Sequence, residues 1–299
     1  MLFGSAPLAP SPLRVFASVT RVHIVAIAAL GTFTFGWLFT GTHPWLLSAI
    51  CALDWFLVNL LNRVVDLRED HHNQIIGTDF VAEHALLVRA GAFFVLIASL
   101  VIVHQALPEI TILRVAFHSL ALVYNWPLLP GGVRIKQLYF LKNAATATGF
   151  LLTCFGYPLA AAHGALSPGI GLAAILTTGV FFFLFELSYE VIFDLRDAPG
   201  DRHSEVTSLP VAHGEQRAVR IIDSLCLAST ATLVGGFALR LIPWRIAVMA
   251  IAPIVQIFAY KRWLGRGVRA EDCAHLTWLG AGLLVAYHLW IVLGLPGVG

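Results

Sequence analysis

Long apolar segments fill most of this sequence and constrain its fold more than any other feature. A helix that crosses a bilayer needs about 20 mostly apolar residues, and here 58% of the 299 residues are hydrophobic while only 12% are charged. The apolar runs are continuous rather than alternating, and an open sheet cannot span lipid. We therefore predict an all-α integral membrane protein with nine transmembrane helices, forming a single domain over residues 1–299. The predicted helices cover 22–40, 44–61, 84–104, 109–126, 140–163, 168–192, 217–239, 243–260 and 274–295.

The basic residues indicate how these segments are oriented in the membrane. Cytoplasmic connections of membrane proteins carry an excess of Lys and Arg. Of the 19 Lys and Arg residues, 16 fall on one side of the predicted arrangement, and the other three are Arg114, Arg240 and Arg245. We therefore expect a multi-pass protein of the bacterial cytoplasmic membrane, with its N-terminus on the cytoplasmic side and its C-terminus on the opposite side.

Two acidic clusters stand at the ends of the second and the sixth apolar segments. Their members are spaced three or four residues apart and therefore share a helix face. Carboxylates near hydrocarbon are costly, rare and usually functional. Four segments separate the clusters, which suggests two four-helix halves followed by a ninth helix, and Asp54 is expected on the first cluster's face, deeper in the membrane. The cluster residues are Asn62, Asp66, Asp70, Asp194, Asp197 and Asp201.

The two clusters favour a metal site for a phosphorylated substrate. Facing carboxylates repel one another unless a cation lies between them, and Mg²⁺ is usually held by a few carboxylates together with substrate phosphates. The ion would neutralise a diphosphate leaving group. The alternative interpretation is that each cluster is a solvated loop rich in Asp and Arg. This accounts for one cluster alone, but not well for two clusters at matching positions. We predict that all six cluster residues are catalytic and that the metal ligands are Asp66, Asp70, Asp194, Asp197 and Asp201.

Basic and aromatic residues near the clusters are candidates for binding substrate. Lys binds phosphate as a point charge and Arg through a fork of donors, although cytoplasmic placement alone explains Arg134 equally well. Arg68 either binds phosphate or pairs with a neighbouring Asp. Glu186 and Glu190, on the helix that enters the second cluster, are each a candidate functional acid or a partner for an Arg. The predicted substrate-binding residues are Arg68, Tyr124, Arg134, Tyr139, Lys142, Asn143 and Tyr189.

These motifs resemble those of the UbiA superfamily of intramembrane prenyltransferases. The resemblance rests on NxxxDxxxD after the second segment and on DxxDxxxD after the sixth, which is followed by the stretch 207–214 and is most similar to the chlorophyll synthase and menaquinone branches. Tyr124 with Lys142 and Asn143 resembles the family's middle region. The resemblance implies a nine-helix bundle around a central cavity that opens laterally to lipid. It also implies Mg²⁺-dependent ionisation of a prenyl diphosphate, with both clusters binding diphosphate and metal and with Lys142 and Arg134 holding phosphate oxygens.

Two stretches depart from the family's pattern and leave the acceptor open. Arg63 follows Asn62 where many members carry Asp, and the stretch 71–79 contains no Arg-Pro. The expected partners are a prenyl diphosphate, a lipophilic or aromatic acceptor and membrane lipid, with no nucleic acid. A membrane terpene cyclase and a polyprenyl-phosphate phosphoribosyltransferase are alternatives with the same fold. An ion-coupled transporter is disfavoured, because transporters place polar groups near the bilayer midplane and most acids here lie at one face.

Overall fold

Helices make up the regular structure of the protein. The computed structural model describes residues 11–203 and 206–294, so both chain termini, whose sides of the membrane were predicted, lie outside the described residues. Every regular element within those ranges is helical, which confirms the predicted all-α class. The α-helices are α1 (Pro12–Val19), α2 (Val22–Thr40), α3 (Trp45–Val65), α4 (Leu67–His72), α5 (Thr78–Glu83), α6 (Ala85–Ala106), α7 (Thr111–Asn125), α8 (Leu141–Phe150), α9 (Tyr157–Ala161), α10 (Leu172–His203), α11 (Leu209–His213), α12 (Glu215–Ala238), α13 (Trp244–Ala247), α14 (Ile251–Leu264) and α15 (Ala270–Val292).

Eight segments in the described part of the chain are long and apolar enough to cross a membrane. Six of them are single helices, namely α2, α3, α6, α10, α12 and α15. The other two are composite: a π-helical turn at Leu151–Gly156 joins α8 to α9, and a 3₁₀ turn at Val248–Ala250 joins α13 to α14. The prediction of an integral multi-pass membrane protein is therefore confirmed.

The predicted fourth transmembrane helix, 109–126, corresponds to α7, and it is the one predicted span that is too short to cross the membrane in the described part of the chain. α7 has only 15 residues, which at 1.5 Å per residue is about 22 Å, whereas the hydrocarbon core is about 30 Å thick. Arg114 and His118 of α7 are buried inside the bundle rather than placed at a membrane surface. The count of nine transmembrane helices is therefore not confirmed, and the division into two four-helix halves stays a prediction.

Aromatic packing joins the helices that surround the centre of the bundle. The rings of Trp55 on α3 and Phe150 on α8 stack with their centroids 4.1 Å apart, and Trp55 donates its indole N–H to the Thr153 hydroxyl at 3.1 Å. α2 comes close to the π-helical turn at Gly31, where a Cβ atom would lie 2.9 Å from the Cys154 Sγ. These contacts fix α3 and α8 relative to one another and thereby position the residues at their ends.

The ends of α3 and α10 carry the two acidic clusters and lie side by side. α3 stops at Val65, and the chain turns at Asp66 before α4 begins. The turn after α4 then packs against α10 at Gly200, where a Cβ atom would lie only 2.4 Å from the Asn73 Oδ1. Glycine at this position therefore permits the two cluster-bearing segments to approach one another closely.

Candidate active site

A cavity of about 580 Å³ lies between the ends of α3 and α10. Its walls come from α1, α2, α3, α4, α7, α8, α10 and α15. One end is lined by the charged clusters. The other is apolar and includes Trp55, which lies about 16 Å from Asp66 along α3. The predicted site residues in its lining are Asn62, Asp66, Asp70, Tyr124, Lys142, Tyr189, Asp194, Asp197 and Asp201.

Four predicted residues do not line the cavity. Arg134 and Asn143 lie just behind the wall, where each contacts a cluster carboxylate. Arg68 is exposed on the surface. Tyr139 is 41% exposed and its hydroxyl pairs with the His213 ring. The structure therefore brings Arg134 and Asn143 to the site but leaves Arg68 and Tyr139 outside it.

Two basic residues hold the Asp66 end of the first cluster. Lys136 Nζ contacts Asp66 directly and lies 2.6 Å from Glu69. Arg134 lies 3.5 Å from Asp66 and 3.2 Å from Glu69. The 3₁₀ turn Ile135–Gln137 sets this arrangement, because the Gln137 side chain accepts the backbone N–H of Arg134 at 2.9 Å. Burial raises the pKa of the Asp66 carboxyl above its ordinary value, and the Lys136 charge opposes that rise.

Asp70 is held by Arg63, which stands where many members of the family carry Asp. Arg63 donates to the Asp70 carboxylate at 2.8 Å and to the carbonyl oxygen of Ser18, also at 2.8 Å. Both charged side chains are nearly buried. The arginine that departs from the family's pattern therefore ties α1 to the first cluster.

Lys142 bridges two carboxylates of the second cluster. Its Nζ lies 2.7 Å from Asp194 and 3.1 Å from Asp201. The Asn143 amide donates to the other oxygen of Asp194 at 2.9 Å. Asp197 instead pairs with its neighbour Arg196, which donates to it at 2.7 and 2.5 Å. Because Lys142 opens α8, the first turn of that helix supplies both of the groups that hold Asp194.

The oxygen groups fit a hard divalent cation, although their present partners are basic side chains. Carboxylate and amide oxygens are the ligands that Mg²⁺ prefers. Within residues 11–203 and 206–294 no three acidic, His or Cys side chains are grouped as a metal would require, and each of the five Asp residues contacts a Lys or an Arg. Asn62 Oδ1 and Asn143 Oδ1 are buried and accept no hydrogen bond, which leaves acceptor oxygens available beside both clusters. Metal ligation by the five Asp residues stays a prediction.

Sequence reasoning missed three charged residues of this site. Glu69 lies within the first motif and Lys136 lies two residues after Arg134, but neither is among the predicted site residues. Arg21 lines the cavity at the start of α2, and its guanidinium has no hydrogen bond or ion pair within the described part of the chain. The sequence feature that could have identified Arg21 is its position at the predicted cytoplasmic end of the first apolar segment, on the same side of the membrane as the two acidic clusters.

Curated relatives match about half of the chain. A sequence model of the UbiA prenyltransferase family matches residues 22–284. Digeranylgeranylglyceryl phosphate synthase of Methanosphaera stadtmanae is 29% identical over 159 residues, which are 51% of this chain and 54% of that protein. The synthase of the same name from Pyrococcus abyssi is 28% identical over 153 residues, which are 50% and 47% of the two chains. The chain thus spans about half the length of the curated relatives that it matches.

The fold is similar to that of a solved membrane protein. The structure of a UbiA homologue from Archaeoglobus fulgidus bound to DMAPP and Mg²⁺ superposes with a TM-score of 0.68 at 14% identity. The superposition covers 92% of this chain and 97% of that chain. At this level of identity the likeness establishes the helical bundle and nothing about the ligands of the present protein.

Proposed function

The chain belongs to the UbiA prenyltransferase family, and we propose that it ionises a prenyl diphosphate with Mg²⁺ and transfers the prenyl group to a lipophilic acceptor. The observation that carries the proposal is a single cavity with a charged end and an apolar end. A prenyl diphosphate has the same division, because its diphosphate needs cations and its chain needs an apolar surface. The cavity volume of about 580 Å³ falls in the range of about 300–1,000 Å³ that is usual for small-molecule sites.

The charged end has the groups that a departing diphosphate requires. Asn62 and the five Asp residues would hold Mg²⁺, and the bound ion neutralises the charge that develops on the leaving group. Lys136 and Lys142 each contact two carboxylates, so either can turn one donor toward a phosphate oxygen while keeping one carboxylate partner. The Arg21 guanidinium has no hydrogen bond or ion pair to another described residue that it would have to give up. We assign Lys136, Lys142 and Arg21 to the diphosphate, and Arg134 to positioning Asp66 and Glu69.

The apolar end protects the prenyl cation from water. Trp55, Phe117 and Phe150 all line it, and the Trp55 ring packs against both of the others. Aromatic faces attract cations and offer no nucleophile. These rings are therefore suited to enclose an allyl cation until the acceptor reaches it.

The comparisons support a lipid acceptor more than a purely aromatic one. The two curated relatives carry the name of a glyceryl phosphate that bears geranylgeranyl groups. The A. fulgidus homologue binds DMAPP and Mg²⁺, which supports a prenyl diphosphate as the donor. The missing Arg-Pro in the stretch 71–79 gives no support to the aromatic acceptors of other branches.

A product assay tests the proposed reaction. Purified protein with Mg²⁺ is incubated with prenyl diphosphates of several lengths, with and without glyceryl phosphate lipids or aromatic acceptors, and products are identified by mass. We expect diphosphate to be released much faster with the correct acceptor, and a product that contains both partners. Rapid conversion of a prenyl diphosphate alone to a cyclic product would replace the transferase by a cyclase, and a phosphoribosylated polyprenyl phosphate would identify the third alternative.

We also propose that the charged end of the cavity faces the cytoplasm of a bacterial cell. The basis is that 16 Lys and Arg residues lie on the predicted cytoplasmic side, whereas only Arg240 and Arg245 lie on the other and Arg114 is buried in the bundle. Leu128 and Ala165 are exposed in loops at opposite ends of the bundle, and the native cysteines are all buried. In intact cells, a membrane-impermeant thiol reagent should label Ala165→Cys and leave Leu128→Cys unlabelled until the cells are opened. Labelling of Leu128→Cys in intact cells would reverse the orientation.

A further inference from the structure

Glu186 is a buried carboxyl with no hydrogen-bond or ion-pair partner among the described residues. Glu186 lines the cavity and is only 8% exposed. Its side chain makes no hydrogen bond or ion pair to any residue of the described ranges. Each of the five Asp residues, by contrast, contacts a Lys or an Arg. An unpaired carboxyl within a membrane is costly and marks a functional group.

Glu190, one helical turn closer to the second cluster, is a second carboxyl of the same kind. It also lines the cavity and has no side-chain partner in the described part of the chain. Residues four apart on a helix have their Cβ atoms about 6 Å apart, so Glu186 and Glu190 form a pair on the wall. Two carboxyls at such a distance disfavour double ionisation and tend to hold one proton between them. One member of the pair is then charged and free to accept a second proton.

The pair lies between the charged end and the apolar end of the cavity. Glu186 is about 12 Å from Asp194 along α10, and Glu190 is about 6 Å from it. Phe182, one turn beyond Glu186, has its ring 6.4 Å from that of Phe150, which belongs to the apolar end. With a diphosphate at the charged end and its prenyl chain at the apolar end, the first prenyl carbon would lie on the same stretch of the wall as this pair.

Prenyl transfer releases a proton that needs a destination. A bond forms between the acceptor atom and the first prenyl carbon, the bond from that carbon to the diphosphate oxygen breaks, and the diphosphate keeps the electron pair. The acceptor's own hydrogen leaves as a proton. On the basis of the proposed transferase function, we propose that the Glu186–Glu190 pair receives this proton on a carboxylate oxygen.

The other titratable groups of the cavity are less suited to that task. The cluster carboxylates are occupied by basic partners. His23 at the start of α2 lines the cavity beside Arg21, so a proton on its ring would place a second positive charge next to an unpaired guanidinium. A proton on the Glu186 carboxylate removes a charge from the more apolar part of the wall instead, which lowers the cost of burial. Glu190 faces the charges of Asp194, Lys142, Arg196 and Arg21. The remaining titratable residues in the lining outside the six cluster positions are Arg63, Glu69, Tyr124, Lys136, Lys142, Tyr189, Arg196 and Glu271.

Variants that keep the shape but remove the titration test the pair. In Glu186→Gln/Glu190→Gln we expect binding of the prenyl diphosphate and slow acceptor-independent release of diphosphate to match the wild type. At saturating acceptor, kcat for the coupled product should fall about 10²–10⁴-fold, the range of general-base catalysis. The Glu186→Asp/Glu190→Asp protein, which keeps both titratable groups, should retain more activity than the Gln protein. Glu109→Gln is the matched control, because Glu109 lies outside the cavity lining.

The outcomes separate this inference from the function on which it rests. If the wild type forms no coupled product with any acceptor, the proposed function fails. If the wild type couples and the double Gln variant does so at a similar kcat, or loses only acceptor affinity through KM, the proton-accepting role is wrong. Loss of coupling in His23→Gln with retention in the double Gln variant would assign the role to His23. If the double Gln protein does not fold, the single variants Glu186→Gln and Glu190→Gln take its place, and a kcat–pH profile unchanged from the wild type in both would contradict the proposal.

Discussion

Replacing Asp194 by Asn is expected to lower turnover of a prenyl diphosphate by about 10²–10³-fold, the loss seen when one preorganised electrostatic group is removed from an active site. Asp194 is 2% exposed and holds both Lys142 and Asn143. The change removes one negative oxygen from the predicted metal set. Among the described residues it also leaves Asp201 as the one remaining carboxylate partner of Lys142, the lysine that is proposed to bind phosphate.

Product formation at saturating prenyl diphosphate, over a range of Mg²⁺ concentrations, measures this effect. Asp79→Asn is the matched control, because the Asp79 side chain is 98% exposed and lies outside the cavity lining. The unfolding midpoints of both variants should stay close to that of the wild type. Near-normal turnover of Asp194→Asn, or undiminished wild-type activity in excess chelator, would remove the basis for the Mg²⁺–diphosphate assignment.

Arg114→Met is expected to destabilise the protein by about 3–5 kcal/mol, the usual cost of leaving one charge of a buried pair uncompensated. Arg114 is 1% exposed and Asp54 is completely buried. The guanidinium donates to both oxygens of Asp54, at 3.0 and 2.5 Å, and to the hydroxyl and the carbonyl oxygen of Ser99. Asp54 also accepts hydrogen bonds from the Tyr157 hydroxyl at 2.8 Å and from the His118 ring at 3.0 Å.

A double-mutant cycle separates the pair from simple loss of packing. Asp54→Leu/Arg114→Met replaces both charges with apolar groups, a change that is often neutral for buried pairs, so it should be more stable than Arg114→Met alone. Unfolding of the detergent-solubilised protein provides the measurement. Arg266→Met breaks a pair whose arginine side chain is 44% exposed, and it should shift the midpoint far less. If the double variant is less stable than Arg114→Met, the uncompensated charge of Asp54 is not what destabilises the single variant.

This network also explains why one sequence expectation was wrong. Asp54 was placed on the same helix face as Asp66, but 12 residues at 100° each leave the two about 120° apart. Asp54 therefore points toward α7 and not into the cavity. The face from 62 to 70 is likewise not one continuous helix, because α3 ends at Val65 and α4 starts at Leu67.

The sequence by itself determined the class of the protein, the position of most helices and the two acidic clusters. Apolar run length and helical spacing are local properties, so they can be read without knowledge of what packs against each segment. The predicted all-α membrane bundle and the family resemblance are confirmed for that reason. The sequence predicts α7 as a membrane span because most of its residues are apolar. It does not show that Asp54 of α3 pairs with Arg114 and that α7 therefore lies against the inside of the bundle.

Only the tertiary structure decided which group each charged residue meets. Lys136 reaches Asp66 across 70 positions of sequence, and Arg114 reaches Asp54 across 60. Such contacts depend on how helices cross and on where loops return, which local periodicity does not contain. In the described part of the chain, the same packing leaves Arg21, Glu186 and Glu190 on the cavity wall without a hydrogen bond or ion pair. A carboxylate that looks identical in sequence becomes a structural anchor at Asp54 and a candidate proton acceptor at Glu186, because burial and partners differ between the two places.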